Sequence, residues 1–187
     1  TTEIYTLSLH DALPIFTDDN GVVNTVSRAK LDALSDIIDS AMAEDKKLVI
    51  MARFVPELDD IQELLEKKKI GYAVVRGGVK DRDSEIHRFQ YDDSCRVFVG
   101  QIAAAGLGIP LTAASTMVFY SLDYSMSNFE QAKARIHRAG QKENCHYIYL
   151  VCRGTVDRKV LYALRQKLNL AKMLVDDYRK GKNPFKN

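Results

Sequence analysis

The sequence has few cysteines and no long apolar run. Its three cysteines form no C-x-x-C pair and have no histidine at metal-binding spacing. Cys95, Cys145 and Cys152 fall in or beside predicted strands, so we expect small buried side chains in a reducing compartment. No apolar segment approaches the roughly 20 residues of a membrane-spanning helix. We therefore expect a soluble, cytoplasmic protein with no membrane partner and no metal site of its own.

Two motifs of nucleotide hydrolysis are also missing. The chain has no G-x-x-x-x-G-K-[ST] phosphate loop, and it has no Asp-Glu dipeptide from which a D-E-x-H metal motif could be built. A lysine-bearing loop and a carboxylate for Mg²⁺ hold the nucleoside triphosphate in P-loop chemistry. We therefore expect the chain alone to be inactive as an ATPase.

Net charge gives little indication of a partner. The 27 basic residues nearly balance the 25 acidic ones, for a formal charge of +2, which is too small to predict nucleic-acid binding by itself. Any such affinity must come from local placement. Two local basic groups exist, and either could be plain solvated surface. They are Arg76, Lys80, Arg82 and Arg88, and a tail over residues 177–187 with Arg179, Lys180, Lys182 and Lys186.

The order of apolar segments predicts an α/β fold of one domain. A composition of 46% hydrophobic and 28% charged residues is ordinary for a globular core. From Ser27 onward, helical periods alternate with short apolar runs typical of strands that are buried on both faces of a mostly parallel sheet. The predicted strands are 48–52, 72–75, 96–99, 116–120 and 146–151. A long C-terminal helix is predicted from Val156 to about Tyr178.

Residues 1–16 differ from the rest, since TTEIYTLSLHDALPIF shows neither a helical nor a strand period. The segment resembles a translated sequencing adapter, so we expect a non-native leader and exclude it from the predicted fold. A secretory signal is the rival interpretation. It is disfavoured because the start is not basic and His10, Asp11 and Pro14 interrupt the apolar region.

The segment from Ser127 to Gln141 carries the strongest functional pattern. Ser127 and Glu130 fit an S-x-x-E capping box, and Gly140 is a helix stop. The spacing i, i+4, i+7 then predicts that Gln131, Arg135 and Arg138 share one helix face, where two guanidiniums could meet a phosphate. For an R-x-x-R pair alone, a solvated polar face is the alternative.

The segment upstream, from Val97 to Asp123, predicts a strand, a loop with Gly106 and Gly108, and a second strand. Loops at the carboxyl ends of parallel strands form the ligand crevice of α/β proteins, and glycine there lets the backbone approach a ligand. A single G-x-G is weak evidence. Its value here comes from the capped helix that follows.

The sequences of these segments resemble motifs V and VI of superfamily two helicases of the Swi/Snf type. AGLGIPLTAA at 105–114 is similar to the glycine-rich run of that family, and QAKARIHRAGQ at 131–141 is similar to its Q-A-x-x-R-x-H-R-x-G-Q helix. Segments 47–54, 76–89 and 147–164 also match in order. Gln101-Ile102 and Pro110 depart from the family pattern. At Gln101-Ile102 the pattern has Thr or Ser, so the hydroxyl contact that it implies from this loop to nucleic acid is not expected here.

The resemblance implies a RecA-like three-layer sandwich over residues 17–176, the second lobe of a two-lobe DNA translocase. Arg135 and Arg138 would then be arginine fingers, and Gln131, Gly106 and Gly108 would lie at the nucleotide. ATP and Mg²⁺ would bind only together with an N-terminal RecA-like ATPase lobe that this chain lacks, and DNA, in duplex form, would be the partner. A bacterial or phage gene fragment is the expected source.

Contacts to the nucleic-acid backbone are expected from loops that follow the strands. The candidates are Arg53, Phe54, Gly77, Gly78 and Gln101. For two of them another role is open, since Phe54 could pack in the core and Arg53 could pair with Glu57 one turn on.

Two other classes of function remain open at this stage. One is a free-standing, non-catalytic module that binds nucleic acid or another protein. The other is a transferase in which Gly106 and Gly108 cradle a phosphate and the arginines bind a substrate anion. The transferase explains the ordered motif matches less well.

Overall fold

The structure is a computed structural model, which describes residues 2–7, 15–17, 23–25, 28–78, 81–103, 108, 110–123, 125–152 and 157–167. The order of elements is β1 (Thr2–Leu7), β2 (Ile15–Thr17), β3 (Val23–Thr25), α1 (Ala29–Ala43), β4 (Leu48–Ala52), α2 (Val55–Lys67), β5 (Gly71–Val75), α3 (Arg82–Tyr91), β6 (Cys95–Gln101), β7 (Thr116–Phe119), α4 (Met126–Ile136) and β8 (His146–Cys152). A further helix, α5, covers residues 157–167.

One parallel sheet forms the centre of the molecule. Its order is β1-β8-β7-β4-β6-β5, and each neighbouring pair runs parallel. Because every strand points the same way, the loops after β4, β5, β6, β7 and β8 emerge at one edge. We call this the carboxyl edge.

Helices cover both faces of the sheet, because alternate residues of each strand point to opposite sides. In β4, Leu48 and Ile50 pack with α1 and α2, whereas Val49 and Met51 pack on the other face with residues of α3, α4 and α5. The strand is buried along its whole length. The predicted three-layer α/β sandwich with its parallel sheet is therefore confirmed, and so are the five predicted strands within a few residues at each end.

The amino-terminal segment contains regular structure that its sequence does not indicate. The backbone of Thr2–Leu7 pairs in parallel with β8, from Thr2 opposite Tyr147 to Leu7 opposite Cys152. Ile15–Thr17 pairs antiparallel with Val23–Thr25. The described part of residues 1–16 thus adds strands that the predicted fold did not include, and a non-native leader stays a prediction. Main-chain hydrogen bonding to an open sheet edge requires no side-chain period.

At the other edge of the sheet, α3 closes the outer side of β5. The Val74 amide donates to the Glu85 carboxylate at 2.9 Å, and the Arg88 guanidinium donates to the Tyr72 carbonyl. Glu85 and Arg88 also pair with each other at 3.0 Å, one turn apart on α3. Two side chains thereby satisfy main-chain groups that a neighbouring strand would otherwise use.

The predicted burial of the cysteines is confirmed for Cys95, Cys145 and Cys152, which are all buried and unbridged. Burial raises the pKa of each thiol, which makes them weak nucleophiles. Among the described helices, none is long and apolar enough to cross a membrane. Of the predicted C-terminal helix, residues 157–167 are helical. The remainder, with the tail over 177–187, lies outside the described residues.

Candidate functional site

At the carboxyl edge, hydrogen bonds join three of the five residues expected to contact nucleic acid. The Gln101 side-chain amide donates to the Arg53 carbonyl at 3.3 Å, and its oxygen accepts from the Gly77 amide at 3.2 Å. Gln101 thus ties together the ends of β4, β5 and β6. Both ends of its amide group bond within the lobe, which holds the two neighbouring loops in place.

Phe54 lies at the same edge and is not a core residue. Its side chain is 37% exposed, and Val55 beside it is also exposed. The Arg53 guanidinium lies over the Phe54 ring at 4.9 Å from the ring centre, a cation–π geometry. The alternative of core packing for Phe54 is therefore wrong. The pair presents a positive, aromatic surface next to Gly77 and Gly78, which are also exposed.

A buried carboxyl group lies directly beneath this surface. Glu57 is 1% exposed, and its Oε2 accepts from the Phe54 amide at 3.1 Å and from the Ser121 hydroxyl at 2.5 Å. Ser121 also accepts from the Arg53 amide at 2.7 Å. Oε1 has no partner among the described residues. Burial raises the pKa of the Glu57 carboxyl, and the hydrogen bond from Ser121 opposes that effect.

Glu57 was not among the predicted site residues, although its position in the sequence is a local signal. Glu57 is the third residue of α2, where a glutamate commonly reaches back to the helix-capping amide. The contact with Ser121 carries no signal, because the two residues are far apart in the chain.

A buried ion pair that the sequence does not indicate joins α1 to α5. Lys30 of α1 contacts Asp157 of α5 at 2.7 Å, and both are almost fully buried. The Cys152 amide donates to the same carboxylate oxygen at 3.4 Å, and the Lys30 ammonium lies 5.9 Å from the centre of the Tyr120 ring. This pair fastens the starts of α1 and α5 to the end of β8.

Helix α4 begins and ends earlier than its sequence pattern predicts. Its cap is Ser125, whose hydroxyl accepts from the Asn128 amide at 3.3 Å, so the predicted capping box of Ser127 and Glu130 is wrong. The Ser127 hydroxyl instead accepts from Gln131 at 2.9 Å. The helix ends at Ile136 and not at Gly140, which lies in a following turn with φ of +100°. The stronger local cap decides the start.

The early end of α4 separates the three residues predicted to share one face. Gln131 is exposed on the helix, Arg135 is buried on it, and Arg138 lies beyond its end. The helix is fixed by Phe129, whose ring packs 5.1 Å from Phe119 and 5.9 Å from Tyr149. Gln131, Arg135 and Arg138 therefore do not share one helix face.

Arg135 and Arg138 are nevertheless close enough to affect each other. Arg135 is 8% exposed, and its Nε has no partner among the described residues. Burial, and then the neighbouring Arg138 cation, lower the pKa of the Arg135 guanidinium. It still carries its charge at neutral pH, because the ordinary pKa of arginine lies far above neutral. Within the described part of the chain, Arg135 is therefore a buried cation whose Nε donor is unpaired.

Arg138 is tied to the glycine loop. Its guanidinium donates to the Gly108 carbonyl at 2.7 Å, and the Leu111 amide donates to the Arg135 carbonyl at 2.9 Å. Gly108 is exposed and has φ of +73°, a backbone conformation that favours glycine. The Gly108 backbone therefore lies next to Arg138. Gly106, the other glycine of that loop, lies outside the described residues.

Two glutamines hold the segment that follows this loop. Gln141 donates to the carbonyls of Ala114 at 2.9 Å, Ile136 at 3.3 Å and Thr112 at 3.4 Å. Gln90 of α3 donates to the Thr112 hydroxyl at 3.2 Å and accepts from the Ala113 amide at 2.8 Å. Residues 135–142, which we call the arginine segment, are therefore hydrogen-bonded to Gly108 and to residues 111–114.

Across the described residues, no group of three or more His, Cys, Asp or Glu is arranged to hold a metal ion. The donors at the carboxyl edge and on the arginine segment are guanidiniums and amides. Such donors suit phosphate oxygens and do not bind a divalent cation.

Similarity to known proteins identifies the family of this chain. The family model for the helicase conserved C-terminal domain matches residues 29–140. The chain belongs to this helicase C-terminal domain family. The match includes β4 to β7, α4 and both arginines.

Relatives of the Swi/Snf type are similar over most of the chain. A DNA repair and recombination protein RAD54-like of Drosophila pseudoobscura is 28% identical over 177 residues, covering 92% of this chain and 23% of the relative. A SWI/SNF-related matrix-associated actin-dependent regulator of chromatin, subfamily A, containing DEAD/H box 1 homolog of Drosophila melanogaster is 31% identical over 168 residues, covering 89% and 20%. The chain thus spans about a fifth of these relatives.

A solved structure supports the same fold. The C-terminal part of the Fun30 ATPase domain has a TM-score of 0.69 and 23% identity, covering 72% of this chain and 44% of that one. This likeness confirms the helicase C-terminal lobe as the fold. The relatives are eukaryotic, so a bacterial or phage origin finds no support in them. The cytoplasmic location stays a prediction.

Proposed function

We propose that this helicase C-terminal domain is the second lobe of a Swi/Snf-type ATP-dependent DNA translocase. In this proposal, Arg135 and Arg138 reach ATP bound by an N-terminal ATPase lobe. Arg53, Phe54, Gly77, Gly78 and Gln101 lie along the DNA backbone. The names of the relatives point to DNA repair and chromatin ATPases, and the proposal carries that activity to this chain.

The observation that carries the proposal is the buried guanidinium of Arg135, which lies beside Arg138 and whose Nε has no partner among the residues that the structure describes. A buried charge without a counter-charge destabilises the fold on its own. Retaining one is understandable if an anion completes the site. The triphosphate of ATP supplies such an anion, and its charge during phosphoryl transfer is what an arginine finger stabilises.

The present contact of Arg138 fits a role that depends on closure. Its guanidinium is bound to a neutral carbonyl, that of Gly108. Hydrogen bonds to an ionised oxygen are roughly twice as strong as bonds between neutral groups. A phosphate brought in by the first lobe would therefore displace the carbonyl. Hydrolysis would then require that the two lobes come together.

Mg²⁺ belongs to the first lobe in this proposal. The Lewis-acid chemistry of phosphoryl transfer needs carboxylate oxygens near the phosphates, and the arginine segment offers cations and amides. Gln131, exposed and bound to Ser127, is available to orient the nucleotide or water.

The test replaces Arg138 by alanine in a two-lobe protein that contains this chain. The expected loss of DNA-stimulated ATP turnover is on the order of 10³ to 10⁵, the size seen for other arginine fingers. Duplex binding should be unchanged. The matched control is Lys142→Ala, which removes an exposed cation from the next turn of the same segment.

Turnover that survives in the Arg138→Ala protein would refute the finger role. If the two-lobe protein bound DNA but never hydrolysed ATP, the alternative of a non-catalytic binding module would replace the enzyme. Tight ATP binding by the isolated chain would instead favour the transferase.

A further inference from the structure

Helix α5 has two faces of very different chemistry. Val160, Leu161 and Leu164 are buried against the sheet. The opposite face carries what we call the α5 stripe, formed by Arg158, Lys159, Tyr162 and Arg165, all exposed. Arg158, Tyr162 and Arg165 follow the spacing i, i+4, i+7, so they lie in one row along the helix, and Lys159 lies beside it.

The cations of the stripe lack partners within the described part of the chain, where neither an ion pair nor a hydrogen bond involves them. Most other described cations are engaged. Lys68 pairs with Asp39 at 2.6 Å, and Arg96 pairs with Asp45 at 2.6 Å. Between residues 158 and 167 there is no acidic residue. The stripe therefore presents positive charge that no carboxylate on its own helix reduces.

The position of the stripe relates it to the carboxyl edge. Asp157, the residue before the stripe, accepts from the Cys152 amide and pairs with Lys30. Helix α5 therefore begins at the carboxyl end of β8. In the sheet order, β8 lies on one side of β4, while β6 and β5, which lead to Gln101 and Gly77, lie on the other. The first turn of α5 and the loops after β6 and β5 therefore lie on opposite sides of β4 at this edge.

The side chains of the stripe suit a phosphate backbone better than a protein surface. Protein interfaces are depleted of charged residues at their centres, and the stripe has no large aliphatic residue. Arginine, lysine and tyrosine all contact phosphate oxygens. Tyr162 is 66% exposed, so its hydroxyl is free to donate to a phosphate. From Arg158 to Arg165 the helix rises about 10 Å, roughly three nucleotide steps of 3.4 Å.

We propose that the α5 stripe is a second contact to the phosphate backbone of duplex DNA. It would extend the surface around Arg53 and Gln101 across the carboxyl edge to the flank of β8. The inference rests on the proposed function, because it takes DNA as the partner. It adds a set of residues that lie beyond residues 29–140, the part of the chain matched by the family model.

The test measures how salt weakens binding of a 20-base-pair duplex to the purified chain, by fluorescence anisotropy. Each phosphate contact contributes about 0.9 to the slope of log affinity against log salt. The double variant Arg158→Gln, Arg165→Gln should lower that slope by about 1.8. The charge-preserving pair Arg158→Lys, Arg165→Lys should leave it nearly unchanged. Melting temperatures confirm that each variant is folded.

The matched control is Lys67→Gln, Lys69→Gln. These exposed lysines lie at the end of α2, on the opposite edge of the sheet, and the change in net charge is the same. A parent slope in the control and a reduced slope in the stripe variant would support the inference. Equal loss in both would overturn it, since only net charge would then matter.

Other outcomes are also decisive. If the parent binds duplex and the stripe variant keeps the full slope, the stripe is not a DNA contact, while the proposed function stands. If the parent binds no duplex even at low salt, both the nucleic-acid contact and the stripe fall. Competition by polyglutamate as strong as that by duplex would make the stripe a docking face for an acidic protein and overturn the inference.

Discussion

At the scale of single residues, Glu57 combines two opposing requirements. Its carboxylate anchors the Phe54 amide and the Ser121 hydroxyl, and through Ser121 it supports the backbone of Arg53. Burial disfavours its charged form and raises its pKa. The proposed DNA surface therefore lies on a carboxyl group that holds a proton more tightly in the folded lobe than in the unfolded chain.

A pH dependence of stability follows from this raised pKa. Glutamate in the unfolded chain titrates near 4.3. Above that pH, the folded lobe retains the proton that the unfolded chain releases, so stability decreases with pH until the folded pKa is passed. Glu57→Gln keeps an acceptor oxygen and does not titrate. Its advantage in unfolding free energy over the parent should grow through this window, by about 1.4 kcal/mol per pH unit between the two pKa values.

Urea unfolding at several pH values measures the effect. Glu63→Gln is the control, because Glu63 is exposed on the same helix and Lys67 lowers its pKa. Its difference from the parent should not grow with pH above 4.3. A constant difference for Glu57→Gln would mean that the Glu57 carboxyl titrates normally in the fold.

Residue roles were predictable where the chemistry is local. The burial of the cysteines and the presence of Arg53, Gln101 and Gly77 at one edge follow from strand positions alone. The pairing of Lys30 with Asp157 did not follow, because a contact between distant segments leaves no period in the sequence. Gln101 illustrates a further limit, since its position after a strand did not indicate that its amide joins two loops.

At the scale of elements, the strands were more predictable than the helix ends. Apolar runs such as Leu48–Ala52 have few alternatives to a buried strand. The ends of α4 depend on competition between neighbouring caps, and Ser125 prevails over Ser127. The contribution of Thr2–Leu7 to the sheet could not be predicted, because it depends on an edge that exists only after β8 has folded.

The start of β5 gives a test at this scale. A methyl group on Gly71 would overlap the backbone carbonyl oxygen of Ser94, at a register shift between β5 and β6. Backbone cannot move aside as a side chain can. Gly71→Ala should therefore destabilise the lobe by about 1–3 kcal/mol, as overpacking does, measured by thermal or urea unfolding.

Gly77→Ala is the matched control, because the added methyl would meet only the Gln101 side-chain oxygen at an ordinary 3.8 Å. Its unfolding free energy should lie close to that of the parent. Equal stability of Gly71→Ala and the parent would show that β5 can shift its register without loss.

At the scale of the whole molecule, ligand-linked stability distinguishes the proposed functions. A ligand that binds only the folded lobe at 100 times its dissociation constant adds about 2.7 kcal/mol. Duplex DNA should therefore raise the melting temperature of the isolated chain at low salt. This gain should disappear at high salt, because phosphate contacts are screened.

ATP without a first lobe should raise the melting temperature little, since Arg135 and Arg138 are only part of the proposed nucleotide site. Calorimetric melting with each ligand provides the measurement. A large shift with ATP and none with DNA would contradict the two-lobe proposal and the stripe together.

The closure of β5 by Glu85 and Arg88 has a consequence for crowding. In the proposed function, several copies of the protein would lie close together on one DNA molecule, which would raise their local concentration. Strands with open edges tend to join across molecules under such conditions. Side chains of α3 occupy the outer hydrogen-bonding groups of Tyr72 and Val74. Neighbouring copies that meet on this side would therefore not extend one sheet into the other.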